Sequence, residues 1–191
     1  VSKNRLEAFS DGVIAILITI MVLELKVPHE PTIKALAPLA PVLLSYALSF
    51  VYLGIYWNNH HHLLQATRVI DGRVLWANLH LLFWLSLFPF ATGWMGENDF
   101  APIPTGLYGF VFLMAAIAYF LLLRAIISVR GQTEAIAASI GRDWKGKVSP
   151  VIYLASIPVA LVAPYVALAA YVVVAGIWVV PDPRMERAIE H

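Results

Sequence analysis

Six stretches of this chain are apolar for long enough to enter a hydrocarbon layer, and that leaves the backbone few options. A bilayer core of ~30 Å holds no water for N–H and C=O groups, so a segment that crosses it satisfies them internally as a helix of about 20 residues. The expected fold is an all-α integral membrane protein with six transmembrane helices per chain in one domain, 1–191. The spans are expected at about residues 5–27, 36–64, 73–95, 105–129, 148–163 and 165–180. Composition agrees, because only 13% of residues are charged, against about 25% in a soluble domain.

The boundaries follow from punctuation in the chain. Pro28 closes the first span, Pro38 and Pro41 open the second, and Gly96 to Asp99 break the third. The fourth begins after Pro104. The last apolar run, 148–180, is too long for one ordinary crossing and holds Pro158 and Pro164, so it reads as two short helices joined near Pro164. A single tilted, kinked helix is the competing reading. Charge decides between them. With six spans, Lys3, Arg5, Arg68, Arg73, Arg124, Arg130, Arg142, Lys145, Lys147, Arg184 and Arg187 share one side, and only Lys26 and Lys34 face the other. Five spans would strand Arg184 and Arg187 outside. The positive-inside rule then puts both termini in the cytoplasm. Lys3 and Arg5 before an apolar run resemble a secretory leader, but Glu7 and Asp11 interrupt that run and no small-residue cleavage site follows Leu23. With no cysteine, disulfides and thiolate metal sites are excluded.

The first span carries the chemistry. Asp11 lies within it, and a charge at such a depth costs about 2.5–3.5 kcal/mol even on a lenient scale, so it is expected to be paired and functional. At ~100° per residue, Arg5, Phe9, Gly12, Ile16, Thr19, Ile20 and Leu23 share one stripe, small, branched and mostly apolar, while Ser10 and Asp11 point elsewhere. Such a stripe suits either the lining of a tight passage or the seam of a helix bundle. Depth along the helices places Asn78 and His80 of the third span level with Asp11, so Ser10 and Asp11 are expected to hydrogen-bond one or the other. His60, His61 and His62 invite a metal reading, but consecutive helical side chains diverge and cannot converge on one ion.

Arg5, Phe9, Ser10 and Asp11 form an R-x-x-x-F-S-D motif at the start of the first span, followed by Gly12 to Ile16 and Thr19. This resembles the bacterial single-repeat members of the lysosomal and endosomal potassium channel family, transmembrane protein 175. The resemblance implies a potassium-preferring cation channel, not an enzyme, in which first helices line a central pore in a homotetramer. It implies a constriction of Ile16, Ile20 and Leu23 with a hydroxyl layer at Thr19. No TVGYG-like filter stretch exists here. The expected partners are the lipid bilayer, further copies of the chain and permeant monovalent cations, with K+ the permeant ion, no cofactor, no metal and no nucleic acid. The expected location is a bacterial inner membrane. An alternative is a membrane-embedded enzyme or metalloprotein built on His60, His61, His80 and Asp11. It lacks a nucleophile–base pair or an H-E-x-x-H signature. A secondary transporter would want interrupted helices at mid-membrane, which only Pro158 and Pro164 suggest.

Overall fold

The structure is a computed structural model in which residues 2–129 and 144–179 are described. Every regular element among them is helical. Helix α1 is Lys3–Leu23. It ends four residues before the expected Val27, because Glu24 and Lys26 leave the apolar layer. The Leu25 N–H closes a turn on the Val22 carbonyl at 3.2 Å, and Lys26 reaches Glu97 at 3.0 Å.

The second span is a 3-10 helix, Ile33–Leu39, that runs into α2, Ala40–Ala66. Pro38 removes one donor, and Pro41 falls in the first turn of α2, where a missing N–H costs nothing. The third crossing is two helices, α3 Gly72–Ser86 and α4 Phe88–Glu97, where one uninterrupted span was expected. Pro89 supplies the reason. Its nitrogen carries no hydrogen for the Leu85 carbonyl and its ring crowds that carbonyl, so the axis breaks at Leu87. Asp71 starts α3 by accepting the Val74 N–H at 2.9 Å. Helix α5, Pro102–Ser128, begins three residues earlier than expected, with Pro102 and Pro104 both in its first turn.

Helices α6, Trp144–Val162, and α7, Pro164–Val179, form the last pair. The Trp178 indole donates to Ser149 Oγ at 2.8 Å, bringing the end of α7 back to the start of α6. A single kinked helix would hold those residues about 40 Å apart at 1.5 Å per residue, so the chain turns back at Pro164 as a hairpin. Five crossings are long and apolar enough to span a membrane, and the 16 residues of α7 make a shorter sixth. Arg130, Arg142, Arg184, Arg187 and residue 180 lie outside the described residues. The other basic residues keep the expected division. Lys3, Arg5, Arg68, Arg73, Arg124, Lys145 and Lys147 sit at one end of the bundle, and Lys26 and Lys34 lie between α1 and α2 at the other.

The core forms around α5, which packs against α3, α4, α6 and α7. Phe112 is its centre, with ring centroids of Tyr52, Tyr108, Phe88 and Tyr153 at 4.0, 4.3, 4.9 and 5.6 Å. Buried phenols need partners, and these have them. Tyr108 meets Ser49 at 2.8 Å, Tyr52 donates to the Tyr171 carbonyl at 2.6 Å, and Tyr171 donates to the Thr105 carbonyl at 3.2 Å. Helix α1 is the peripheral element, held on one side by α2, α3 and α4.

Candidate pore helix and its anchoring network

The two faces of α1 are sharply different. Leu6, Ser10, Ile14, Leu17 and Met21 are buried, a spacing of three and four residues that makes one continuous ridge against the bundle. Roughly 140° round the axis, at ~100° per residue, lies the stripe of Arg5, Phe9, Gly12, Ile16, Thr19, Ile20 and Leu23. Every member of that stripe is exposed in the single chain, Ile16 at 57% and Leu23 at 80%. A Cβ added to Gly12 would meet nothing within 4 Å, so no packing inside the chain explains the glycine. The Thr19 hydroxyl donates to the Ile16 carbonyl at 2.9 Å. Its lone pairs remain free to accept or to face a cation, which is the polarity a cation needs.

Beside the buried ridge, three side chains of α1 step toward α2 four residues at a time. Lys3 Nζ donates to the Gln65 carbonyl at 2.8 Å, Glu7 Oε1 meets His61 Nδ1 at 3.2 Å, and Asp11 Oδ1 accepts the Trp57 indole N–H at 3.0 Å. Positions 3, 7 and 11 ascend one helix while 65, 61 and 57 descend the other. That is the register of two antiparallel helices touching along one edge. His61 also lies parallel to Trp57, centroids 5.8 Å apart, so these two adjacent rungs brace each other.

One layer deeper, Asn78 of α3 links α1 to α2. Its Nδ2 donates to Ser10 Oγ at 3.0 Å, and its Oδ1 lies 2.7 Å from His60 Nε2. Ser10 in turn donates to the Leu6 carbonyl at 2.9 Å. Since an amide oxygen only accepts, His60 carries its proton on Nε2, and its Nδ1 is a sealed nitrogen without a partner among the described residues. Ser10, His60 and Asn78 are each fully buried, so this chain of bonds is the polar pin through the inner half of the bundle.

Of the residues singled out from the sequence, Ser10 and Asn78 come together and His80 does not join them. The His80 ring accepts the Trp84 indole N–H at 2.9 Å, one turn along its own helix. Asp11 pairs with Trp57 and not with either expected partner. Arg5 is exposed and pairs with neither Glu7, taken by His61, nor Asp11. Sequence reasoning singled out His60 and His61 but missed their partners, Asn78 and Glu7, and missed Trp57 altogether. The signal was present in the equal four-residue steps of 3, 7, 11 and 57, 61, 65. The alternative metal or enzyme cluster does not assemble, since His60, His61, His80 and Asp11 turn to four different partners.

Residues 5–89 match the family model described as endosomal/lysosomal potassium channel TMEM175. A potassium channel of Chryseobacterium sp. (strain P1-3) is 49% identical over 99% of this chain and 98% of its own length. A potassium channel of Chamaesiphon minutus is 34% identical over 61% of this chain and 62% of its own. Among solved structures, the crystal structure of a lysosomal potassium-selective channel TMEM175 homolog from Chamaesiphon minutus superposes with a TM-score of 0.80. It covers 93% of this chain and 96% of that one, at 27% identity.

Proposed function

The chain belongs to the endosomal/lysosomal potassium channel TMEM175 family, and from that premise we propose that it is a potassium-preferring cation channel whose pore is lined by α1. Several copies, four by the family resemblance, surround an axis on which the exposed stripes of α1 converge. Ile16, Ile20 and Leu23 form an apolar constriction and Thr19 a hydroxyl layer within it. Lys3, Glu7, Asp11 and Ser10 hold the helix to its own bundle and so fix how far those side chains reach. The protein is a multi-pass constituent of a bacterial inner membrane, with the basic end of the bundle in the cytoplasm.

The observation that carries this reading is the completeness of the exposed stripe. A helix crossing lipid alone would have no reason to set aside one face as small, branched and hydroxyl-bearing around an unpacked Gly12. The physics of such a pore differs from that of a carbonyl cage. Helical carbonyls are occupied by the i to i−4 ladder and cannot replace an ion's hydration shell. A ring of isoleucine and leucine therefore gates by dewetting, and the Thr19 oxygens offer partial coordination where water is squeezed. Sodium holds its water more tightly than potassium and suffers more at an apolar neck, so selectivity comes out modest.

Purified protein reconstituted into vesicles tests the reading. Potassium flux is expected, larger than sodium flux, and Ile16→Asn should wet the neck and raise conduction severalfold. Absence of flux from the wild type, or identical conduction in the variant, contradicts it.

A further inference from the structure

Away from α1, on the far side of α2, the bundle encloses a cleft that the channel reading does not use. It lies between α2, α5, α6 and α7 toward the basic end and has a volume of about 570 Å³ including its open mouth. Its walls are rings, from Tyr52, Tyr56, Tyr119, Phe120, Tyr153 and Trp178, and none of the described residues lining it is charged.

Accounting for hydrogen bonds separates the lining into spent and unspent groups. Tyr52 is engaged by the Tyr171 carbonyl, Tyr153 by Tyr52, and Trp178 by Ser149, whose own hydroxyl goes to the Lys145 carbonyl. The Tyr56 hydroxyl has no partner among the described residues. It is not one of the sealed orphan atoms either, which are His60 Nδ1, His62 Nδ1 and Thr105 Oγ1. Asn59, one turn on, uses its Nδ2 on the Ile55 carbonyl at 2.8 Å and leaves Oδ1 without a donor among the described residues. One face of α2 thus presents a phenol and an amide oxygen, both unfilled among the described residues, into a ring-walled space whose described lining carries no charge.

We infer that this cleft is a binding site for an uncharged aromatic small molecule carrying one hydroxyl-type group that both donates and accepts. The ring body packs offset or edge-on against the tyrosine and tryptophan walls. Its hydroxyl takes the Tyr56 proton and gives its own to Asn59 Oδ1. A charged ligand would meet no counter-charge among the described lining residues to offset its desolvation. The site belongs to a single protomer and does not depend on where α1 places the pore.

The test uses the full chain in lipid nanodiscs and 4-fluorophenol as the probe, followed by 19F NMR. Partition into lipid is linear in concentration and common to all variants, whereas site binding saturates. A saturable component is expected in the wild type, about fivefold weaker in Tyr56→Phe, which keeps the ring and removes the hydroxyl. It should be absent in Ala116→Phe, which fills the cleft. 4-Fluorobenzoate should show no saturable binding, and octan-1-ol should displace the phenol poorly. The inference is overturned by any of four results. These are no saturable component in the wild type, unchanged affinity in Tyr56→Phe, equal binding of the benzoate, or displacement by octan-1-ol as effective as by unlabelled phenol. Potassium flux of the same variants is read separately, so a failure here leaves the pore reading standing.

Discussion

Asn78 donates to Ser10 and accepts from His60, so a leucine of similar size there strands two buried partners at once. We expect Asn78→Leu to lower stability by about 1–3 kcal/mol, seen as an earlier thermal midpoint in detergent. Adding Ser10→Ala and His60→Leu should recover much of the loss, because removing all partners leaves nothing unpaired. An additive decline across the three would deny that they form one network. Asp11→Ala frees the Trp57 indole and unfastens one rung between α1 and α2. It should reduce recovery of the assembled oligomer, while Asp11→Asn, which keeps an accepting oxygen, should retain most of it. Part of this was legible in the sequence. Depth along the helices was enough to foresee Ser10 with Asn78, but depth carries no azimuth. Asn78 and His80 are two residues apart, hence on nearly opposite sides of α3, and only one of them can face α1. Trp57 escaped notice because tryptophan in a membrane helix reads first as an interfacial anchor.

At the scale of the helix, glycines distinguish contacts within the chain from those that lie beyond it. A Cβ at Gly96 would stand 2.8 Å from the Val42 backbone, where α4 crosses the first turn of α2. One at Gly109 would collide with the Tyr171 hydroxyl and ring. Gly96→Ala and Gly109→Ala should each destabilise the fold by about 1–3 kcal/mol through overpacking, measured by thermal unfolding in detergent. Gly12→Ala meets no atom of its own chain and should leave that midpoint unchanged while altering conduction. Equal loss of stability in all three would remove the distinction. The helices themselves were largely readable from proline, glycine and charge. The break at Leu87 was not, because Pro89 stands inside an unbroken apolar run and leaves no trace in hydropathy. The turn at Pro164 was suggested by the length of its run and by Pro158 and Pro164, and was decided by the side on which Arg184 and Arg187 would otherwise fall.

The whole molecule is a bundle with one helix left half-covered. Helices α2 to α7 bury their aromatic core around Phe112, and α1 joins them by a narrow ridge, a ladder of three rungs and the pin through Asn78. Six crossings and an expected orientation follow from length and charge, but a single sequence contains nothing about its own copies, so the proposed axis beside α1 was accessible only through family resemblance. Native mass measurement of the detergent-solubilised protein should give four chains, and a monomer or dimer as the sole species would leave no closed ring for the stripe to line. The most direct test exploits a chain with no cysteine of its own. Ile16→Cys and Leu23→Cys, reconstituted with Val151→Cys on the exposed face of α6 as control, are treated with a water-soluble cationic thiol reagent during potassium flux. Block at positions 16 and 23, slowed by high potassium and absent at 151, is the result predicted. Undiminished flux after treatment at both α1 positions would turn that stripe to lipid and contradict the account.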